Sequence, residues 1–272
     1  MLGLGNSLVT GGVLSAEVFT PASVATPDLW LRHNWGVTAD YDTLGNAVTH
    51  NTMGGNMADE DKIKFWYHYP SYAVLGLQLT ESNKPRWEAD DESLHWPTGK
   101  HLDLSSTITV NANTNFTVMA RFKPDVAGAG SLLGSSGTEH IRIQSATKVR
   151  LRADDGGGTA YNTDFTSGTA LATDKYITMI IVRSDGTTGN VNIYVRGADS
   201  GYFDGTPAGT AFGSQDQVTE ELVFSNIGAG ADGGNTFRGY MKDMIVWNGT
   251  AVTEAQRTQL FDYIESQGDA AP

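Results

Sequence analysis

From Phe116 onward this chain alternates apolar and polar residues with a period of two, and short turn-rich stretches interrupt the alternation at regular intervals. A strand repeats its side-chain direction every second residue, whereas a helix needs apolar residues three and four apart. In Phe116-Thr117-Val118-Met119-Ala120-Arg121-Phe122 the residues Phe116, Val118, Ala120 and Phe122 project to one face, and Pro124-Asp125 ends the run. Further strands are predicted at 131–134, 140–144, 148–153, 176–183 and 191–195. Those at 140–144 and 148–153 alternate basic or polar residues with apolar ones, while 176–183 (YITMIIVR) is apolar enough to be central. Asp-Asp-Gly and Asp-Gly turns separate them, which is the pattern of an antiparallel β-sandwich.

The end of the chain closes this pattern. Residues 222–267 give an apolar strand, a Gly/Asp/Asn loop, a second strand at 240–247 and one short helix. That helix is predicted to start at Thr253, with Gln256 at capping-box spacing, to bury Leu260, Phe261 and Ile264, and to stop at Gly268. Upstream, 63–69 and 73–79 read as strands. Residues 1–27 carry Glu17 as their only charge, with Gly3, Gly5, Gly11 and Gly12 spaced among Leu and Val. Such a segment is too glycine-rich to bury a core and too apolar for a solvated tail. It is read as an N-terminal arm, packed on its own domain or docked on a partner through Leu2, Leu4, Leu8, Val9, Val13 and Leu14. The expected division is an arm at 1–27 and one domain at 28–272, best supported over 100–267.

Composition sets limits on function. A net charge of −13 argues against nucleic acid and against anionic membrane surfaces, both of which call for clustered Lys and Arg. The absence of cysteine removes disulfides and thiolate metal sites. The first twenty residues lack a basic region and glycine breaks each apolar run, so no secretion signal is read and synthesis in a reducing cytoplasm is expected.

Several motifs fall in an order that resembles laminin-G-like, concanavalin-A-like lectin jelly rolls. They are FTVMARFKP, SLLGSSG, HIRIQ, KVRLRADDG, KYITMIIVRSDG, VNIYVRG and the closing IGAGADGG–FRGYMKDMIVWNG–helix unit. PDLWLRHNWGVT and KHLDLSS are similar to the opening segments of lectin-like domains in phage virion proteins, and MLGLGNSLVTGG resembles the start of structural proteins from tailed phages of marine bacteria. The resemblance implies an all-β, concanavalin-A-like jelly-roll sandwich with one short C-terminal helix. It further implies a virion component made in the host cytoplasm: a capsid decoration protein or part of a tail fibre.

Candidate chemistry is sparse. Glu88, Asp90 and Glu92 are spaced two apart, which on a strand would place three carboxylates on one side as in β-glucanases of this broad fold; a solvated acidic loop is the favoured reading. Trp66, Tyr67, Tyr69, Trp87 and Trp96 crowd one region, where they could stack on sugar faces, although packing is favoured for residues of this size. Asp232 and Asn235 sit in an oxygen-rich loop that could contribute to a calcium site, as could Asp154-Asp155-Gly156, with Asp-Gly turns as the favoured alternative. Gly228-Ala-Gly230-Ala-Asp-Gly233 fits a dinucleotide pattern by letter, but a strand follows it where the pattern needs a helix. The histidines at 33, 50, 68, 95, 101 and 140 show no metal-ligand spacing. The expectation is therefore a non-enzymatic capsid decoration protein without a cofactor, oligomeric and bound to capsid or tail subunits. The alternatives are a glycan-binding module for host attachment and, behind it, a divergent glycosidase.

Overall fold

The computed structural model describes residues 19–41, 47–50, 57–70, 75–135, 139–154, 160–185, 188–197, 207–216, 218–230 and 235–267. The strands are β1 (Leu29–Arg32), β2 (Val37–Tyr41), β3 (Ala47–His50), β4 (Ile63–Tyr67), β5 (Leu75–Leu77), β6 (Arg86–Glu88), β7 (Ser93–Trp96), β8 (Leu102–Val110), β9 (Phe116–Pro124), β10 (Gly130–Gly134), β11 (His140–Ser145), β12 (Lys148–Asp154), β13 (Ala160–Thr166), β14 (Ile177–Asp185), β15 (Asn190–Arg196), β16 (Thr210–Gln215), β17 (Leu222–Ile227) and β18 (Gly239–Asn248). One helix, α1 (Glu254–Ser266), follows.

These strands form two antiparallel sheets. An eight-stranded sheet runs β16-β15-β14-β9-β18-β7-β6, with β1 joining the same edge of β18 as β7. A ten-stranded sheet runs β13-β12-β11-β10-β17-β8-β5-β4-β2-β3. The core lies between them. β9 shows why: Phe116, Val118, Ala120 and Phe122 enter that core as their alternation predicts, and Met119 points to the opposite side. β14 is central, between β9 and β15. It is apolar on both faces because Met179 and Ile181 meet the other sheet while Ile180 and Val182 meet a second apolar layer.

That second layer is built by α1. Thr253 caps the helix as expected: its Oγ accepts from Gln256 N at 3.3 Å, and its own N–H donates to Gln256 Oε1 at 2.9 Å. Leu260, Phe261 and Ile264 then pack with Trp30, Met119, Ile245 and Trp247 on the outer face of the eight-stranded sheet. Cations hold the helix C-terminal half, where unpaired carbonyls favour positive charge. Arg121 donates to Ile264 O at 3.1 Å, and Arg196 donates to Asp262 and Glu265 at 2.7 Å each. The predicted stop at Gly268 lies outside the described residues.

A buried guanidinium fastens the opposite end of β14. Arg183 is 0% exposed and donates to the carbonyls of Thr114, Val218, Glu220 and Asn111. Burial pulls its pKa down to about 10, which leaves it charged at neutral pH.

Several strand boundaries differ from the sequence reading. The strand expected over 63–69 ends at Tyr67, and that expected over 73–79 ends at Leu77, with residues 73 and 74 outside the described ones. The short strands β1–β3, β6, β7, β13 and β16 were not anticipated, since few of them carry enough alternation to signal a strand and all depend on long-range pairing. Through them the N-terminal half completes both sheets: β1, β6 and β7 on one, β2–β5 on the other.

Candidate functional site

The acidic run does not lie along a strand. β6 ends at Glu88, the chain turns through Ala89–Glu92, and β7 returns with Ser93 opposite Glu88. Glu92 takes a left-handed φ of 46° in that turn and Asp90 is exposed. Glu88, Asp90 and Glu92 therefore occupy a hairpin turn, and the alignment of three carboxylates that a strand would give is absent.

Around this hairpin a mixed polar cluster forms on the outer face of the eight-stranded sheet. His95 stacks on Tyr240 with ring centroids 4.5 Å apart and planes 9° from parallel, and Lys123 lies 4.1 Å over the same ring. Lys123 pairs with Asp91, and Arg86 pairs with Glu60. Burial, with Asp59, Asp91 and Asp90 close by, raises the Glu88 carboxyl above its ordinary range. Among the described residues, ligand atoms of Glu60, Glu88 and His95 lie within 4.8 Å of one another, a donor set of two carboxylates and one imidazole that could hold a divalent cation.

The aromatic residues separate into two groups. Trp66, Trp87 and Trp96 are 0%, 2% and 0% exposed and belong to the sandwich core, so they offer no ring face to a sugar. Their place as carbohydrate-stacking residues is corrected accordingly: large rings on short strands fill the space between the sheets. Tyr69 packs edge-on against Trp30 at 4.6 Å and Trp35 at 5.2 Å, with the Arg32 guanidinium 4.8 Å from its ring. Tyr67 is half-buried beside Phe65 at 5.7 Å. The five do not converge on one surface.

Leu2, Leu4, Leu8, Val9, Val13 and Leu14 lie outside the described residues, as do Asp232, Asp155 and Gly156. Asn235 is exposed, has a left-handed φ of 50°, and its carbonyl accepts from Ser131 N at 2.8 Å. Gly228, the first glycine of the dinucleotide-like run, takes φ +75°, and a Cβ there would lie 2.5 Å from the Trp96 ring. Its conformation and packing thus account for the glycine at that position.

The most unusual polar surface carries no sequence motif. Cross-strand register places Asn162, Arg152, His140, Gly134, Asn226, Asp103, Leu77, Phe65 and Thr38 in one continuous row on the outer face of the ten-stranded sheet. Neighbouring strands lie about 4.8 Å apart, so successive residues of the row are near neighbours. At Gly134 the Ala229 backbone closes over the row, since a Cβ there would come within 2.6 Å of Ala229 O. The β11–β13 end is strongly basic. Arg142 faces Arg150 across β11 and β12, and Arg152 faces His140.

Only part of this charge is neutralised. Arg150 donates two bonds to Asp164, at 2.7 and 3.0 Å, and Lys148 adds a third at 3.2 Å, which pulls the Asp164 carboxyl down to about 2. Arg142 and Arg152 make no ion pair among the described residues, and the Nε of each is buried without a hydrogen-bond partner. His140 Nε2 and Gln144 Oε1 are likewise unpartnered, and His140 is only 6% exposed. Burial and the charges of Arg142, Arg152 and Arg150 push the His140 pKa down to about 4, so its imidazole is neutral at physiological pH. These atoms are themselves buried, so water held within the surface can satisfy them. The alternation in HIRIQ and KVRLRAD was the available signal: two strands joined by the short Ala146–Thr147 turn carry their basic residues to one face.

Residues 97–256 match the family described as Concanavalin A-like lectin/glucanases superfamily. No curated protein sequence matches the chain. A GH54 α-L-arabinofuranosidase soaked with a cyclic sulfate inhibitor is similar in structure, with a TM-score of 0.54 and 10% identity over 87% of this chain and 62% of that one. A native heptameric SAP-like pentraxin from Limulus polyphemus gives 0.41 and 17%, over 58% of this chain and 73% of that one. The binding domain of botulinum neurotoxin serotype G gives 0.44 and 12%, over 88% of this chain and 51% of that one. At 10% identity the likeness to the arabinofuranosidase establishes a shared fold alone.

Proposed function

This chain belongs to the concanavalin A-like lectin/glucanases superfamily, and we propose that it is a non-enzymatic component of a tailed-phage virion whose sandwich binds glycan. The single observation that carries glycan binding is the patch of partly exposed Arg142, Arg150 and Arg152 side chains, with exposed Asn162 beside them, on the outer face of the ten-stranded sheet. Planar polar groups fixed on rigid strands suit the hydroxyl-rich edge of a sugar, because binding them costs little side-chain ordering. The non-enzymatic reading is supported by the acidic run: its carboxylates sit in a hairpin turn and Asp91 is occupied by Lys123. The virion assignment is supported by the resemblance of PDLWLRHNWGVT, KHLDLSS and MLGLGNSLVTGG to phage structural proteins.

A second reading, capsid decoration, is favoured by the composition of residues 1–27, which carry one acidic residue and no Lys or Arg. In that role the segment docks on capsid or tail subunits, and burial of its Leu and Val side chains strengthens the assembly by mass action. The two roles are compatible in one homo-oligomeric appendage.

A glycan array probed with the full chain tests the first reading. Bound polysaccharide is the expected result, and an array without a binder overturns it. β-Glucan turnover that vanishes in Glu92→Gln would overturn the non-enzymatic assignment. Deleting residues 1–18, which spares Phe19, Val24 and Ala25 on the second apolar layer, is expected to abolish incorporation into particles while leaving glycan binding intact; incorporation of the shortened chain would remove the docking role of that segment.

A further inference from the structure

Resting on the glycan-binding reading, we infer that the β11–β13 end of the ten-stranded sheet selects anionic glycans, polysaccharides that carry carboxylate or sulfate groups, through the guanidiniums of Arg142 and Arg152. The molecule as a whole carries a net charge of −13, yet here three arginines and a lysine gather around one carboxylate, that of Asp164. Asp164 is fully engaged by Arg150 and Lys148, so nothing among the described residues neutralises Arg142 or Arg152. Like charges on facing strands are destabilising, and Arg142 stands directly opposite Arg150. Asp164 offsets the charge of Arg150, so this face keeps the guanidiniums of Arg142 and Arg152 at a cost that an anionic ligand would relieve.

Geometry narrows the class. A guanidinium presents a planar fork that matches carboxylate and sulfate oxygens, and a partly desolvated fork binds them more strongly than one in open water. Arg142 and Arg150 are separated by one strand spacing of about 4.8 Å and Arg150 and Arg152 by about 6.8 Å along β12, a patch sized for a short stretch of polysaccharide. Exposed Asn162, directly opposite Arg152 across β12 and β13, supplies an amide for a neighbouring hydroxyl. The Ala229 backbone over Gly134 ends the patch on one side, and exposed Asn162 ends it on the other. Nucleic acid is the competing polyanion, but a phosphate backbone needs a long cationic track, and this patch is short in an otherwise acidic molecule.

The test titrates the full chain with polygalacturonate, a sulfated galactan, neutral arabinan and duplex DNA. Polygalacturonate or the sulfated galactan is expected to bind, with affinity falling as salt rises. Each lost guanidinium should weaken binding about tenfold, so Arg142→Gln/Arg152→Gln should lose about a hundredfold while its melting temperature holds or rises. Arg142→Lys should fall between, since it keeps the charge without the fork. Asn162→Asp, an exposed change opposite Arg152, should weaken the same ligands without touching the core. Unchanged binding of acidic polymers by both the double variant and Asn162→Asp overturns the inference, as does preferential binding of duplex DNA. Equal binding of neutral arabinan overturns it while leaving the glycan reading standing, and no polysaccharide binding at all overturns both.

Discussion

His140 is held neutral by its neighbours, and that has a consequence for stability. Its pKa in the folded chain is about 4, against 6.5 for an ordinary histidine. As pH falls, the unfolded chain therefore takes up a proton that the folded chain refuses. Stability is complete above the unfolded value of 6.5 and declines as pH drops toward about 4, by on the order of 3 kcal/mol. Asp164 acts in a lower window: its carboxyl is depressed from 3.8 to about 2, so its contribution is lost only below the ordinary value. Denaturant unfolding across a pH series should show both steps, and His140→Gln should remove the upper one; an unchanged slope in that variant would refute the burial of a neutral imidazole among arginines. Arg183 is a different kind of buried cation, because its donors serve four backbone carbonyls and no ligand surface. Arg183→Met should cost roughly 3–5 kcal/mol by leaving those carbonyls without a partner, read as a lower denaturant midpoint, with glycan binding by the residual folded protein unchanged.

At the scale of elements, α1 is a short helix whose stability comes from its cap, its apolar face and two arginines. Thr253→Ala should therefore cost about 1 kcal/mol, measured as a fall in melting temperature, and a negligible change would mean that packing alone fixes the helix start. This helix was legible in the sequence because its cap and its buried triplet are local signals. β9 and β14 were legible for the same reason, since Phe116, Val118, Ala120 and Phe122 declare a face without reference to any other strand. β6, β7 and β13 were not, because Arg86–Glu88, Ser93–Trp96 and Ala160–Thr166 acquire their strand character from partners distant in the chain. The acidic run left two readings: its two-residue spacing allowed a strand face, its polar surroundings favoured a loop, and the turn at Ala89–Glu92 that bears out the loop depends on β6 and β7 pairing. The basic row was half visible. Alternation put Arg142, Arg150 and Arg152 on one face, but β13 supplies Asp164 and leaves two of the three arginines without a carboxylate, and that follows only from register.

Across the whole molecule, two sheets enclose one core, a helix covers part of the outer face of the first sheet, and a row of polar and aromatic residues crosses the second. The N-terminal strands complete both sheets, so the sandwich draws on residues from Leu29 to Gln267. Strong overall acidity keeps such a molecule apart from nonspecific polyanions, and a local basic face lets it hold an anionic partner that reaches that face. Specificity then depends on short-range fit, since long-range attraction is opposed by the net charge. We propose the outer face of β11–β13 as the ligand surface. Hydrogen–deuterium exchange of the full chain, with and without saturating polygalacturonate, tests it most directly. Slowed exchange is expected across β11, β12 and β13 with little change at the β6–β7 hairpin, whereas protection centred on that hairpin, or on no segment at all, would rule this surface out.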